Sequence, residues 1–348
     1  MKIGNINISD KNPPFIVAEI SANHNNNLKR TLKLIDEAAN AGADAVKIQT
    51  YKPDTITLNS KKKDFLISNK KSLWYGKYLY ELYSKGSLPW EWHKAVFKRA
   101  KKNKIICFST PFDETAVDFL EKLQCPLYKV ASFENNHVPL INRLINLKKP
   151  LIISTGLTKI EDIKFIIQNF KKKKFKNFTL LKCTSSYPAP EEDTNLKCID
   201  DLRKRFKINV GLSDHTEGIG VAVASVAYGS VLIEKHFTLN KKDGGLDDSF
   251  SINPQELKSL VVETKRAWKS KGKVYYGISK SEKASLIFKR SIYISKDIKK
   301  NELITKNNVK VVRPNLGLHP KYFDYVIGKK VNKNLLKASP LKLKDIIK

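Results

Sequence analysis

The sequence predicts an α/β protein, a (β/α)8 TIM barrel followed by a small β-rich domain. Three observations carry that reading. Short apolar runs alternate with amphipathic segments, eight runs over roughly 250 residues. Every run ends in polar or charged side chains. Near Ser279 the helical periodicity gives way to short β-type runs with turns, as in RSIYISKDIKKNELITKNNVKVVRP.

The expected strands are Phe15–Ile20, Asp44–Gln49, Ile105–Ser109, Leu127–Ala131, Leu151–Ser154, Phe178–Lys182, Ile208–Leu212 and Ser230–Glu234. Each is a brief run rich in Val, Ile, Leu or Phe, as suits a parallel strand buried on both faces. Between them, helical spacing of apolar residues predicts Leu28–Ala41 (closed by Gly42), Thr115–Leu123, Ile160–Phe170 and Asn195–Phe206, with a last helix at Pro254–Lys271. A long insertion, Tyr51 to Asn103, holds three of the four tryptophans and is expected over the barrel mouth as a wall or lid. The expected division is a barrel at 1–272, a linker at 273–284 and the small domain at 285–348.

Composition narrows the function classes. A chain of 348 residues with 41% hydrophobic residues can bury a full core. The start, MKIGNINISDKNPP, lacks the apolar region of a secretory signal, and the longest apolar stretch, Ile219 to Ile233, is too short to span a bilayer. Cys107, Cys125, Cys183 and Cys198 are scattered without a CxxC pair, which fits free thiols in a cytoplasmic protein. The formal charge of +31 raises nucleic acid as a partner. Only eight of the 65 basic residues are Arg, the type suited to bidentate base and phosphate contacts, and the lysines are spread along the chain. Such a field favours a small anionic substrate instead, with neither nucleic acid nor membrane as partner.

In a barrel of this kind chemistry gathers where strands end. Those ends carry Glu19, Lys47, Gln49, Thr110, Lys129, Ser132, Glu134, Ser154, Thr155, Lys182, Thr184, Ser185, Ser213, Asp214, His215, Glu234 and His236. Lys47 and Lys129, set in VKIQT and YKVAS, are expected to point inward, where a lone ammonium is costly unless an anion meets it. With Thr110, Ser154 and Ser213 they suit a phosphate and a carboxylate. His215 and His236 each follow an apolar run. Adjacent parallel strands would bring the two imidazoles side by side, a pair of nitrogen ligands for a divalent metal with positions left open.

Seven ordered segments resemble the sialic acid synthase family: AEISANH (18–24), VKIQTY (46–51), STPFD (109–113), YKVASFE (128–134), KCTSSYP (182–188), GLSDHTEG (211–218) and IEKHFTL (233–239). The tail, with VVRPNLGLHP (311–320), is similar to that family's antifreeze-like (SAF) domain, so the resemblance covers essentially the whole chain. Within the family, KIGNINI, YKPDTITLNS, SLWYGKYLYELY, EEDTNLK and RPNLGLHP are most similar to the pseudaminic acid synthases. Ser21 and Ser185 depart from the Gly and Asn usual in N-acetylneuraminate synthases, which points away from N-acetylmannosamine as substrate.

The resemblance implies a phosphoenolpyruvate-dependent transferase that condenses this substrate with an N-acetylated amino sugar, here 6-deoxy-AltdiNAc. It implies His215 and His236 as ligands of a divalent metal, Mn2+ by preference with Mg2+ or Co2+ as alternatives. The expected catalytic residues are Glu134, as general base or acid handling the attacking water, and Glu19, which would help position the sugar and order the metal-bound water. Lys47, Thr110, Lys129, Ser132, Ser154, Ser185 and Ser213 would grip phosphoenolpyruvate. Gln49, Tyr187 and Asp247 would position the sugar, with Asp248 a rival for the Asp247 role. Arg313 would reach the partner's sugar in a homodimer with exchanged C-terminal domains. The sugar's methyl group calls for an apolar wall, to be found among Leu73, Trp74, Tyr75 and Tyr78. Other readings are an N-acetylneuraminate or legionaminate synthase, a Schiff-base aldolase using Lys129, Lys182 or Lys235, and a non-catalytic sugar- or ice-binding protein.

Overall fold

A computed structural model describes residues 1–347 and divides into two compact units, Met1–Gly272 and Lys273–Lys348. In the first, eight parallel strands close into a barrel. They are β1 (Phe15–Glu19), β2 (Ala45–Thr50), β3 (Ile106–Pro111), β4 (Tyr128–Val130), β5 (Leu151–Ser154), β6 (Phe178–Cys183), β7 (Val210–Asp214) and β8 (Leu232–His236). Each pairs with the next in sequence, and β8 returns to β1 with Leu232 opposite Phe15 and His236 opposite Glu19. All eight expected strands are present, Leu151–Ser154 with the same bounds and the others displaced by a residue or two at one end or both. The largest drift is at the last two, which extend toward the polar residues following the apolar run.

Eight helices form the outer layer: α1 (Leu28–Asn40), α2 (His93–Lys102), α3 (Glu114–Lys122), α4 (Val138–Asn146), α5 (Ile160–Lys172), α6 (Lys197–Phe206), α7 (Gly220–Ser225) and α8 (Pro254–Ser270). Helical spacing selects their inner faces, as in α1 with Thr31, Leu34, Ile35 and Ala38 and in α5 with Ile163, Ile166, Ile167 and Phe170. Side chains close the exposed first turns: the Asn27 carboxamide accepts from the Arg30 N–H, and Asn253 and Glu256 cap one another at the start of α8.

The inserted segment is shorter than expected. It ends near Trp92, because His93–Lys102 is the ordinary helix between β2 and β3. Its sequence, HKAVFKRAKK, buries only His93, Val96 and Ala100, so a narrow apolar stripe hides among lysines. The segment from Tyr51 to Trp92 holds the short helices Pro53–Ile56 and Leu79–Gly86. It is fastened at two tryptophans, Trp74 Nε1 donating to the Leu246 carbonyl and Trp90 Nε1 to that of Tyr51.

The second unit begins with exposed residues 273–278 and a 3-10 stretch, Lys280–Phe288. Beyond it, β9 (Ser291–Ile294) and β10 (Val309–Val312) pair antiparallel around a small core that includes Ile292, Ile298, Ile304, Val331 and Leu341. Among the described residues no helix is long and apolar enough to cross a membrane.

Candidate active site

The floor of the barrel mouth is a buried quartet of charges drawn from β1, β2, β4 and β8. Lys47 Nζ lies 2.6 Å from Glu19 Oε2 and 3.7 Å from Glu234 Oε1, and donates to Thr110 Oγ1 at 3.1 Å. Lys129 Nζ reaches both Glu234 oxygens, at 2.9 and 3.2 Å, and the Ser213 hydroxyl adds a bond to Oε1 at 3.3 Å. The lysines are thus not lone ammonium groups waiting for substrate. Each already faces a carboxylate, with Glu234 between them.

These contacts divide the two carboxylates. Burial raises both, but Lys129 and Lys47 outweigh it at Glu234 and hold that group at about 2. At Glu19 burial prevails over Lys47, and the nearby Glu234 charge adds to the rise. The Gln49 amide donates to Glu19 Oε1 at 3.3 Å and to the Ser21 hydroxyl at 3.0 Å, linking the quartet to the next layer up.

Beside Lys129 lies a pocket of hydroxyls. The Gly156 N–H donates to Ser132 Oγ at 3.2 Å, and Asn135 Nδ2 donates to the Gly156 carbonyl at 3.0 Å. A side chain at position 156 would put its Cβ 2.2 Å from Ser185 Oγ and 2.6 Å from Ser132 Oγ, so glycine is what lets these hydroxyls converge. Ser154 Oγ is buried there without a protein partner. Unspent donors next to an ammonium form a seat for a tetrahedral anion. Glu134, ending the turn Ser132–Glu134 that follows β4, has one carboxyl oxygen, Oε2, buried and unbonded. Burial raises its pKa to about 7 against the opposing pull of Lys129 and Lys47.

The two histidines stand at the tips of β7 and β8, strands in direct register (Lys235 opposite Asp214), with ring centroids 5.3 Å apart. His215 Nδ1 lies 2.8 Å from the Thr184 carbonyl, which fixes the proton there and leaves Nε2 as a lone-pair donor. His236 is pushed well below its usual pKa, first by burial and then by His215 and the lysines, so its ring is neutral. Its Nδ1 is buried and unbonded, with Asp247 Oδ2 3.8 Å away. An unpartnered His236 nitrogen with a carboxylate beside it, and the His215 ring 5.3 Å away with its other nitrogen turned from the Thr184 carbonyl, fit a divalent cation. Among the described residues no third His, Cys, Asp or Glu joins them as a close ligand group.

Of the barrel residues expected from the sequence, Glu19, Lys47, Gln49, Thr110, Lys129, Ser213 and Glu234 are joined by direct contacts at this mouth, whereas Lys182 and Asp214 face the helical layer. Asp247 faces His236. Its rival Asp248 is consumed elsewhere, accepting from the Gly245 N–H at 2.6 Å, from the Thr238 hydroxyl and from Arg30. Tyr187 packs its ring 4.4 Å from His215 and 5.7 Å from Trp74, with Phe250 at 5.3 Å, so an aromatic wall overlooks the histidines. Among the insert residues expected for an apolar wall, Trp74 packs against Tyr187, whereas Leu73 and Tyr75 are exposed. Arg313 lies in the second unit and is exposed there.

Two of the lysines considered for a Schiff base face away from the mouth. Lys182 lines a cavity of about 570 Å³ with Ile160, Ile163 and Leu202, residues of α5 and α6, and Lys235 pairs with Asp214. Sequence reasoning named Glu234 as a strand-end residue but gave it no task. The signal was present, since Glu234 lies two residues before His236 on one strand and must share its face. Cys183 was also passed over. Its Sγ sits 3.9 Å from His215 Nδ1 and 3.8 Å from Ser185 Oγ.

The chain matches the NeuB family model over residues 34–276 and the SAF domain model over 289–347. It is 44% identical to the Campylobacter jejuni protein named pseudaminic acid synthase, over 99% of each chain. It is 41% identical to the Helicobacter pylori protein of the same name, over 96% of this chain and 98% of that one. Among solved structures it is similar to the N-acetylneuraminic acid synthetase of Leptospira borgpetersenii in complex with citrate, with 32% identity and a TM-score of 0.73 over 82% of this chain and 94% of that one. With a closed eight-stranded barrel, a family match over most of its length and full-length relatives at this identity, the chain belongs to the NeuB family.

Proposed function

We propose that the chain catalyses the condensation of phosphoenolpyruvate with 2,4-diacetamido-2,4,6-trideoxy-L-altropyranose (6-deoxy-AltdiNAc) and water, giving pseudaminic acid and phosphate. The observation that carries this reading is the convergence of two ligand-ready imidazoles and a lysine- and serine-lined anion seat in one mouth. The naming of its full-length relatives supports the choice of sugar.

His215 and His236 would hold the divalent metal, which supplies Lewis-acid polarisation of the sugar's open-chain carbonyl when bound. Mn2+ is the proposed ion. Lys47 and Lys129, with Thr110, Ser132, Ser154, Ser185 and Ser213, would hold phosphoenolpyruvate so that its C3 faces that carbonyl carbon. A carbon–carbon bond forms, water adds at C2, and phosphate leaves with its bridging oxygen. Glu134 suits the water's proton, because a carboxyl near 7 is both an effective base and partly ionised at neutral pH. Gln49, held by Glu19 and Ser21, and Asp247 would orient the sugar, while Tyr187, Trp74 and Phe250 offer apolar surface to its methyl group. We further propose a cytoplasmic homodimer in which Arg313 of each chain serves the partner's site.

Phosphate release with three sugars tests this. The expected result is release with 6-deoxy-AltdiNAc, abolished by chelator and restored by Mn2+. Faster release with N-acetylmannosamine or with the legionaminate precursor would reassign the substrate within the same chemistry. No release with any of the three would favour a sugar-binding protein.

A further inference from the structure

The outward faces of β7 and β8 carry a second buried ion pair. Lys235 and Asp214 are register partners, each one residue before a proposed metal ligand. Lys235 Nζ donates to Asp214 Oδ2 and to the Thr216 carbonyl, both at 2.7 Å. Asp214 Oδ1 accepts from the Thr216 N–H at 3.0 Å and from the Thr216 hydroxyl at 2.8 Å. The side chains of both charged residues are 1% exposed. Four bonds therefore enclose residues 214–216, with His215 at their centre, and fasten that turn to β8.

The layer between strands and helices is otherwise the place for Val, Ile and Leu, as Ile233 illustrates, clustering with Leu257 and Leu260 of α8. A buried ion pair gives no more stability than a well-packed apolar pair of similar size, so its presence calls for another reason. The turn after β7 leaves the sheet and has no ladder partner of its own. The Thr184 carbonyl at His215 Nδ1 and the Ala189 N–H at the His215 carbonyl hold this residue from the β6 side, and the ion pair is what ties the turn to β8 and so to His236.

We infer that Asp214 and Lys235 are positioning residues that set the spacing of the two histidines for a divalent cation. The inference rests on the metal reading proposed above. Neither residue touches a reacting group. Both act through the backbone of the ligands they precede, in the manner of outer-shell partners at metal sites.

The test uses the full chain and Mn2+ alone, with binding read by calorimetry and by the spin resonance of free Mn2+. Lys235→Met and Asp214→Asn should each raise the Mn2+ dissociation constant about 10- to 100-fold. The double variant Asp214→Leu with Lys235→Met leaves no unpaired charge, so its Tm should return toward wild type while Mn2+ affinity stays low. A merely structural pair would show the reverse, with Mn2+ affinity at the wild-type level once Tm is restored, and that result overturns the inference. Should the apolar variants fail to fold, near-isosteric Asp214→Asn decides alone, and unchanged affinity there has the same consequence. His236→Ala is the control: Mn2+ binding that survives it removes the metal reading itself, whereas its loss there with normal affinity in the pair variants removes only the clamp.

Discussion

Lys129 bonds both oxygens of Glu234 at 2.9 and 3.2 Å, while Lys47 stands 3.7 Å from the same carboxylate on the other side. Two ammonium groups thus share one anion before any substrate arrives. Glu234→Gln should destabilise the protein by about 3–5 kcal/mol, because it leaves a buried positive charge short of its counterion. Phosphoenolpyruvate should then raise Tm more in the variant than in wild type, since its own charge replaces the missing one. Equal shifts in a thermal melt would show that the ligand binds away from these lysines.

Gly156→Ala places a methyl group where Ser132 and Ser185 converge, at 2.6 and 2.2 Å from their oxygens. Overpacking of this kind costs about 1–3 kcal/mol. In steady-state kinetics the KM for phosphoenolpyruvate should rise roughly 10- to 100-fold, with Mn2+ affinity unaffected because the histidines lie on other strands. A change confined to the sugar KM would move the anion seat elsewhere.

Glu134 gives the site a pH signature. Its carboxyl titrates near 7, so the ionised form that accepts a proton from water is lost as the pH falls through that value. The profile of kcat/KM should therefore have an acid limb centred near pH 7, rising with pH. Glu134→Gln should lower kcat about 10²- to 10⁴-fold and abolish that limb. A limb that persists in the variant belongs to another group.

The proposed exchange of C-terminal domains has its own check. Glu134→Ala and Arg313→Ala proteins should each be inactive alone. Mixed and allowed to exchange subunits, they should regain activity, because one site of each mixed dimer then receives both intact residues. No recovery after exchange is verified by mass would place Arg313 in its own chain's site or in none.

Much of the barrel was legible because parallel strands covered on both faces must be apolar runs, and nothing else in the chain competes for that pattern. What escaped notice did so for local reasons. His93–Lys102 buries three residues among lysines and passed for part of the insertion. Val138–Asn146 carries Pro139 in its first turn, where proline is harmless but reads as a break. The polar strand ends announced the site, yet pairing within it could not be read. Lys47 and Lys129 were expected to need an outside anion, and the protein supplies Glu19, the register partner of Lys47 on the neighbouring strand, and Glu234, from the last strand of the barrel. The choice between Asp247 and Asp248 depended on which carboxylate the loop backbone had already claimed, a matter of three-dimensional closure rather than of residue type.

On β8, Glu234 and His236 face inward while Lys235, between them, faces out. A strand alternates with a period of two, so gaining or losing one residue ahead of this segment would turn its two functional side chains into the helical layer and drive an ammonium group among the other lysines. The centre would then lose the Glu234 carboxylate and the His236 ring and crowd three ammonium groups against one another. Length is therefore the inherited property of this strand. Drift can alter the apolar residues of Val231–Ile233 one for one, but a single insertion there would unbalance the charge of the cavity in one step.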